Sequence, residues 1–146
     1  MSELSDFLKG KNEEHKRQQI NFHEIREQWL ANVAEFMKNI KSWIAASQAE
    51  GLLKVREYEI EINEENLRNY KVTALELIVG DEKIQITPVG RMIIGAIGRI
   101  DISSSYNKFI VLQKEENEWI FRNDQSKEKF KPFTENDFVA ILKELV

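Results

Sequence analysis

The stretch from Ile20 to Ala49, INFHEIREQWLANVAEFMKNIKSWIAASQA, decides the fold. It holds no Pro or Gly, and Gly51 just beyond it supplies a stop. Asn21 is a good N-cap, Glu24 three residues on completes a capping-box-like pair, and Ile20 with Ile25 fills the two positions of a hydrophobic staple. A helix over these residues is roughly 45 Å long at 1.5 Å per residue. Phe22, Trp29, Phe36 and Trp43 recur every seven residues, Val33 and Ile40 fall between them, and Leu30, Met37 and Ile44 form a parallel column. At about 100° per residue these side chains cover an arc of roughly 140°. A dimeric coiled-coil seam is narrower and favours Leu, Ile or Val over rings. The wide aromatic stripe therefore predicts a helix roofed by a sheet of its own subunit.

Upstream, residues 1–19 carry Ser2, Ser5, Gly10 and a mixed-charge run from Lys11 to Arg17, with little periodicity. Asp6–Lys9 has the makings of one helical turn. The expectation is a mobile or loosely docked lead-in, followed by a single domain over 20–146.

Downstream the period changes. Tyr58, Ile60 and Ile62 alternate with Glu57, Glu59 and Glu61, a half-buried strand with a wet face. Val55 is out of phase with Tyr58, which predicts a bulge near Arg56. Tyr70–Val79 reads as a second strand. Gly80-Asp81-Glu82 punctuates it, and Ile84 and Ile86 open a third that Pro88 ends. Arg91–Ser103 is the longest strand candidate. Met92, Ile94, Ala96, Gly98, Ile100 and Ile102 share one face; Arg91, Ile93, Gly95, Ile97, Arg99 and Asp101 share the other. Apolar residues on both faces predict a central strand covered on both sides. Lys108–Gln113 and Glu118–Arg122 form a hairpin across Glu115–Asn117, with Phe109 and Val111 of one parity, as are Trp119 and Phe121. Asp124–Lys129 is a charged surface turn. Thr134 with Asp137, and Phe133 with Phe138, repeat the capping box and staple before a last helix carrying Phe138, Ile141, Leu142 and Leu145. The order is helix, about six strands in a meander, short helix: an α+β fold with an antiparallel sheet.

Composition bounds the function. The 146 residues suffice for one domain with a real core. Apolar residues make up 42% and charged residues 32%, which fits a soluble globular chain. A net charge of -4 argues against non-specific nucleic-acid binding. There is no apolar run long enough for a transmembrane helix, and Met1–Gln19 holds no apolar signal segment, so no membrane association is expected. The absence of Cys removes thiolate catalysis and Cys-ligated metal and fits a reducing compartment; the expected location is cytoplasmic.

Motifs for chemistry are sparse. His15 and His23 are the only histidines, and eight residues apart they are too distant to chelate one metal as a pair. Ser103–Ser105 lack a nucleophile elbow and a downstream His. Gly90, Gly95 and Gly98 match no phosphate-binding spacing; a glycine inside a strand more often marks close approach by a bulky neighbour, such as Trp43 of the long helix. Asp81-Glu82-Lys83 gives a nuclease-like string, but in a solvated turn. Trp119, Phe121 and Arg122 beside Lys108 lack the glycine-aromatic run of an RNA-binding sheet and suit core packing better. The sharpest candidates are Arg99 and Asp101, two apart on one strand face, with Arg91 at the same parity. A charged pair on a semi-apolar face is costly unless paired or near solvent, so these three are the candidate ligand- or partner-binding residues.

No catalytic residue, metal or cofactor is expected. The leading expectation is a non-catalytic protein-interaction module whose partner is another protein or a second copy, as a C2 homodimer. The alternative is a small-molecule-binding or hydrolytic domain with Arg99 and Asp101 in a cleft between sheet and helix.

Overall fold

A computed structural model describes residues 2–91 and 96–146. Helix α1 (Glu3–Ala49) leads into seven strands, β1 (Lys54–Glu64), β2 (Arg68–Val79), β3 (Glu82–Gly90), β4 (Gly98–Ser103), β5 (Lys108–Glu115), β6 (Glu118–Asn123) and β7 (Lys131–Pro132), and helix α2 (Glu135–Leu145) closes the chain. Every strand pairs antiparallel with its sequence neighbour, giving one sheet in the order β1 to β7. The α+β meander is thus the fold, with one strand more than the sequence suggests. The addition is the short β7, where Lys131 and Pro132 pair with Phe121 and Ile120 beside the charged turn.

The aromatic stripe of α1 faces the sheet. Trp29, Val33, Phe36, Met37, Ile40 and Ile44 are buried, and Phe22, Leu30 and Trp43 are partly so. Alternation along the strands supplies the opposing surface. Leu75 pairs with Ile86, Ile86 with Ile102 and Ile102 with Phe109. Ile100 pairs with Val111 and Val111 with Phe121, so one parity of five strands forms a continuous apolar floor. Rings then run along the interface: Phe36 lies 4.7 Å from Trp119 and 5.5 Å from Phe133, and Trp43 lies 5.7 Å from Phe138 of α2. Such tilted and stacked pairs each add about 1 kcal/mol to the burial term. Phe138, Ile141 and Leu145 bring α2 into the same core, behind the expected Thr134–Asp137 capping box.

Gly98 fixes how closely helix and sheet approach. A Cβ there would stand 2.3 Å from the Trp29 ring. The ring lies on bare backbone, as expected for a strand glycine, though the ring is that of Trp29 and not Trp43. Trp29 is fully buried, and its indole N–H makes no hydrogen bond among the described residues.

Several local expectations are corrected. First, α1 starts at Glu3, not at Asn21: the Ser2 hydroxyl accepts from the Ser5 backbone N–H at 3.2 Å, and the helix runs through Gly10. One interior glycine costs only about 1 kcal/mol, and nothing else in the segment breaks a helix. Second, there is no bulge near Arg56; β1 and β2 pair without a register shift from Lys54–Ile78 to Glu64–Arg68. The phase change arises because the hairpin uses both faces. Val55 and Leu77 join the core at its base, whereas Ile60, Ile62, Tyr70 and Val72 join it at the tip. β2 pairs with β3 only from Leu75 to Val79. The rest is a free two-stranded ribbon, which twists more than a sheet interior and brings its other face round to α1.

Third, the long strand over Arg91–Ser103 is not one strand. β3 extends to Gly90, past Pro88, with a register shift between the two, and β4 begins only at Gly98. Met92, Ile93, Ile94 and Gly95 lie outside the described residues. Both helices pack on the same side of the sheet, so the two-sided cover expected for β4 reduces to one helical layer among the described residues. No helix among the described residues is long and apolar enough to cross a membrane.

Gly98→Ala is expected to cost roughly 3 kcal/mol or more, because the new methyl meets a buried ring and not a flexible side-chain end. In urea denaturation, a Trp29→Phe change on the same background should recover part of that loss. Additive losses would show that the two residues do not bear on each other.

Candidate functional site

Strand alternation settles where the candidate charges point. Ile100 and Ile102 face the helices, so Arg99 and Asp101 face the opposite side of the sheet rather than a space between sheet and helix. There they grip each other: Arg99 Nε donates to Asp101 Oδ1 at 2.7 Å and Nη2 to Oδ2 at 3.1 Å. Their side chains are 26% and 16% exposed. This two-pronged contact occupies both carboxylate oxygens, and an incoming anion would have to open it.

Arg91 is not with them. Its chain has left the sheet at Gly90, and its backbone N–H donates to the Glu64 carboxylate at 2.9 and 3.1 Å. Tyr70 donates its hydroxyl to the same carboxylate, and burial, followed by this bond, raises the Tyr70 pKa, so it stays a donor. Arg91 lines a cleft of about 400 Å³ between α1 and the sheet, with Gln28, Asn32, Ile97 and Gln113 and, at its charged margin, Glu24 and Glu116. Inside it runs a carboxamide relay: Gln28 Nε2 donates to Asn32 Oδ1 at 3.1 Å, and Asn32 Nδ2 donates to Gln113 Oε1 at 3.0 Å. Gln113 is almost fully buried. Uncharged amides hold orientation and select hydrogen-bonding partners; they do not exchange protons as a general base does. The sequence signal for this relay was available. Gln113 shares inward parity with Phe109 and Val111, and a polar residue at a core position demands a partner.

The helix-free face of the sheet carries a second polar network. Glu76 accepts from Arg56 Nε at 3.3 Å and from Gln85, whose own Oε1 accepts from the Tyr58 hydroxyl at 2.8 Å. The Arg56 guanidinium also lies 4.3 Å from the centre of the Tyr58 ring. The Gln85 hydrogen bond, then that of Arg56, lowers the Glu76 pKa below the usual carboxylate value. Among the described residues, no group of three or more His, Asp or Glu side chains is placed to hold a metal ion.

A cluster of exposed apolar side chains lies elsewhere. Leu4 is 64%, Phe7 60% and Leu8 49% exposed on the first turns of α1. At 100° per residue they share the azimuth of Trp29, Val33 and Ile40, so the core-facing stripe continues along the helix past the last contact with the sheet. Sequence periodicity understated this because Lys11, Glu14 and Gln18 interrupt the stripe before Phe22.

No family model matches the chain, and no curated protein or solved structure is similar to it.

Two outcomes are expected of the paired charges. Arg99→Ala should cost about 2 kcal/mol in urea denaturation, since it leaves the Asp101 carboxylate half-buried and unpaired; an unchanged midpoint would show the pair to be idle. Glu76, with its lowered folded-state pKa, stabilises the fold fully above the ordinary carboxylate range and loses that contribution as pH falls through the lowered value. Glu76→Gln should therefore reduce stability at neutral pH and flatten the acid limb of a stability–pH profile.

Proposed function

We propose that the protein is a non-catalytic interaction module that binds through the free end of α1, with a second copy of the chain as its occupant. The continuation of the apolar stripe through Leu4, Phe7 and Leu8 carries this proposal. A helix that ends its contacts near Phe22 but keeps the same apolar azimuth to its first turn is suited to a partner there. The hydrogen-bonded groups suit a binding role, although Glu24 and Glu116 also line the Arg91 cleft. Arg99 and Asp101 bind each other, and the cleft beside Arg91 is organised by amides.

Charge favours a second copy. The segment carries blocks of alternating sign: Glu3 and Asp6, Lys9 and Lys11, Glu13 and Glu14, then Lys16 and Arg17. Of these, Glu3, Lys11 and Glu14 lie on or beside the apolar face, and a second copy laid antiparallel about Phe7 sets Lys11 of each chain against Glu3 of the other. That is the self-complementarity a twofold contact requires. Three apolar side chains per copy make a small interface, so the dimer is expected to be weak and in fast exchange.

Sedimentation velocity over a concentration series tests this. The wild-type chain should shift toward dimer in the micromolar range, and Phe7→Glu should abolish the shift without altering the thermal midpoint of the domain. A wild-type chain that stays monomeric at its highest soluble concentration overturns the proposal, as does a dimer indifferent to Phe7→Glu.

A further inference from the structure

We infer that the cleft where α1 crosses the β1–β2 turn binds an organic phosphate, a small anion carrying an apolar group. The cleft holds about 430 Å³ and brings together residues that the sequence scatters. His15, His23 and Arg26 line it from α1, and Asn66, Leu67 and Arg68 from the turn. These include both histidines of the chain, and no Asp or Glu is among the lining residues. In a protein of net charge -4, a cleft walled by two arginines and by no carboxylate is a local reversal of sign. Glu27 is the nearest ion-pair partner, 3.7 Å from Arg26 Nε.

The donors are held in place. Arg26 Nη1 donates to the Leu67 carbonyl at 3.4 Å, which ties helix to turn. Its Nη2 lies 2.8 Å from His23 Nδ1. A guanidinium has no acceptor, so Nδ1 must accept, and the ring proton sits on Nε2. His23 is thereby set as an N–H donor. Arg68 adds a second guanidinium, the group best matched to phosphate oxygens. Phe22, only partly buried, gives the cleft an apolar ledge, which is the reason for assigning an organic phosphate over a bare ion.

The backbone adds an independent argument. Arg68 has φ of 62° and Asn66 φ of 72°, both in the left-handed region. Asn visits that region readily, but an arginine there costs about 1 kcal/mol that glycine would not. The strained residue is one whose side chain lines the cleft, and local strain of this kind collects at ligand sites.

Phenyl phosphate, inorganic phosphate and phenol serve as probes in isothermal titration calorimetry with the full chain. Phenyl phosphate should bind, inorganic phosphate more weakly, and phenol not measurably. Arg68→Gly should weaken phenyl phosphate at least about tenfold while leaving the thermal midpoint of the unliganded protein equal or higher, because it relieves the turn. His15→Ala, which leaves both guanidinium groups in place, should weaken it less. No phenyl phosphate binding at millimolar concentration, or equal binding to the Arg68→Gly variant, overturns the inference. Phenol binding as well as phenyl phosphate does so too, since the site would then be apolar and not anionic. Repeating the titration in the Phe7→Glu variant, which does not self-associate, separates ligand binding at the cleft from the dimer contact.

Discussion

The contact between the Trp29 ring and the backbone of Gly98 sets the distance between helix and sheet. A side chain on β4 would hold α1 away from the floor of Leu75, Ile86, Ile100, Ile102 and Val111. With glycine there, the largest side chain of the helix reaches the strand itself. A line of ring contacts then runs from Trp119 through Phe36 and Phe133 to Trp43 and Phe138. Aromatic contacts of this length need one fixed spacing, because an ångström of separation forfeits much of the dispersion energy.

The one-sided helical layer also explains the polar outer face. A sheet with helices on one side must satisfy its other side by itself. The Arg56–Glu76–Gln85–Tyr58 network and the Arg99–Asp101 pair do this, giving the buried Glu76 and half-buried Asp101 carboxylates the partners that offset their loss of water. Their positions follow strand register: Glu76 pairs with both Arg56 and Gln85, so three polar side chains meet in one cross-strand row.

Helix α1 is longer than the sheet it lies on. At 47 residues it spans about 70 Å, well beyond the reach of an eleven-residue strand. Its overhang does two things at once. It presents Leu4, Phe7 and Leu8 without a covering element among the described residues, and it carries His15 out to the tip of the β1–β2 hairpin. Both candidate binding features therefore come from one mismatch of length.

The sequence by itself determined the order of helix, antiparallel meander and short helix, and the face of α1 between Phe22 and Trp43 that packs on the sheet. The seven-residue recurrence from Phe22 to Trp43, the alternation along β1, the capping box at Thr134 and the absence of breakers sufficed, because periodicity and capping are local properties of the chain. It also placed Arg99 and Asp101 on one strand face, but not what they touch. Only the tertiary structure decided that they bind each other, that Arg91 belongs to a different cleft, that Trp29 rather than Trp43 lies on Gly98, and that His15 and His23 share a wall with Arg68. Those contacts depend on the crossing of α1 over the sheet and on the twist of a free hairpin. Both are set by packing between segments far apart in sequence, which no local pattern encodes.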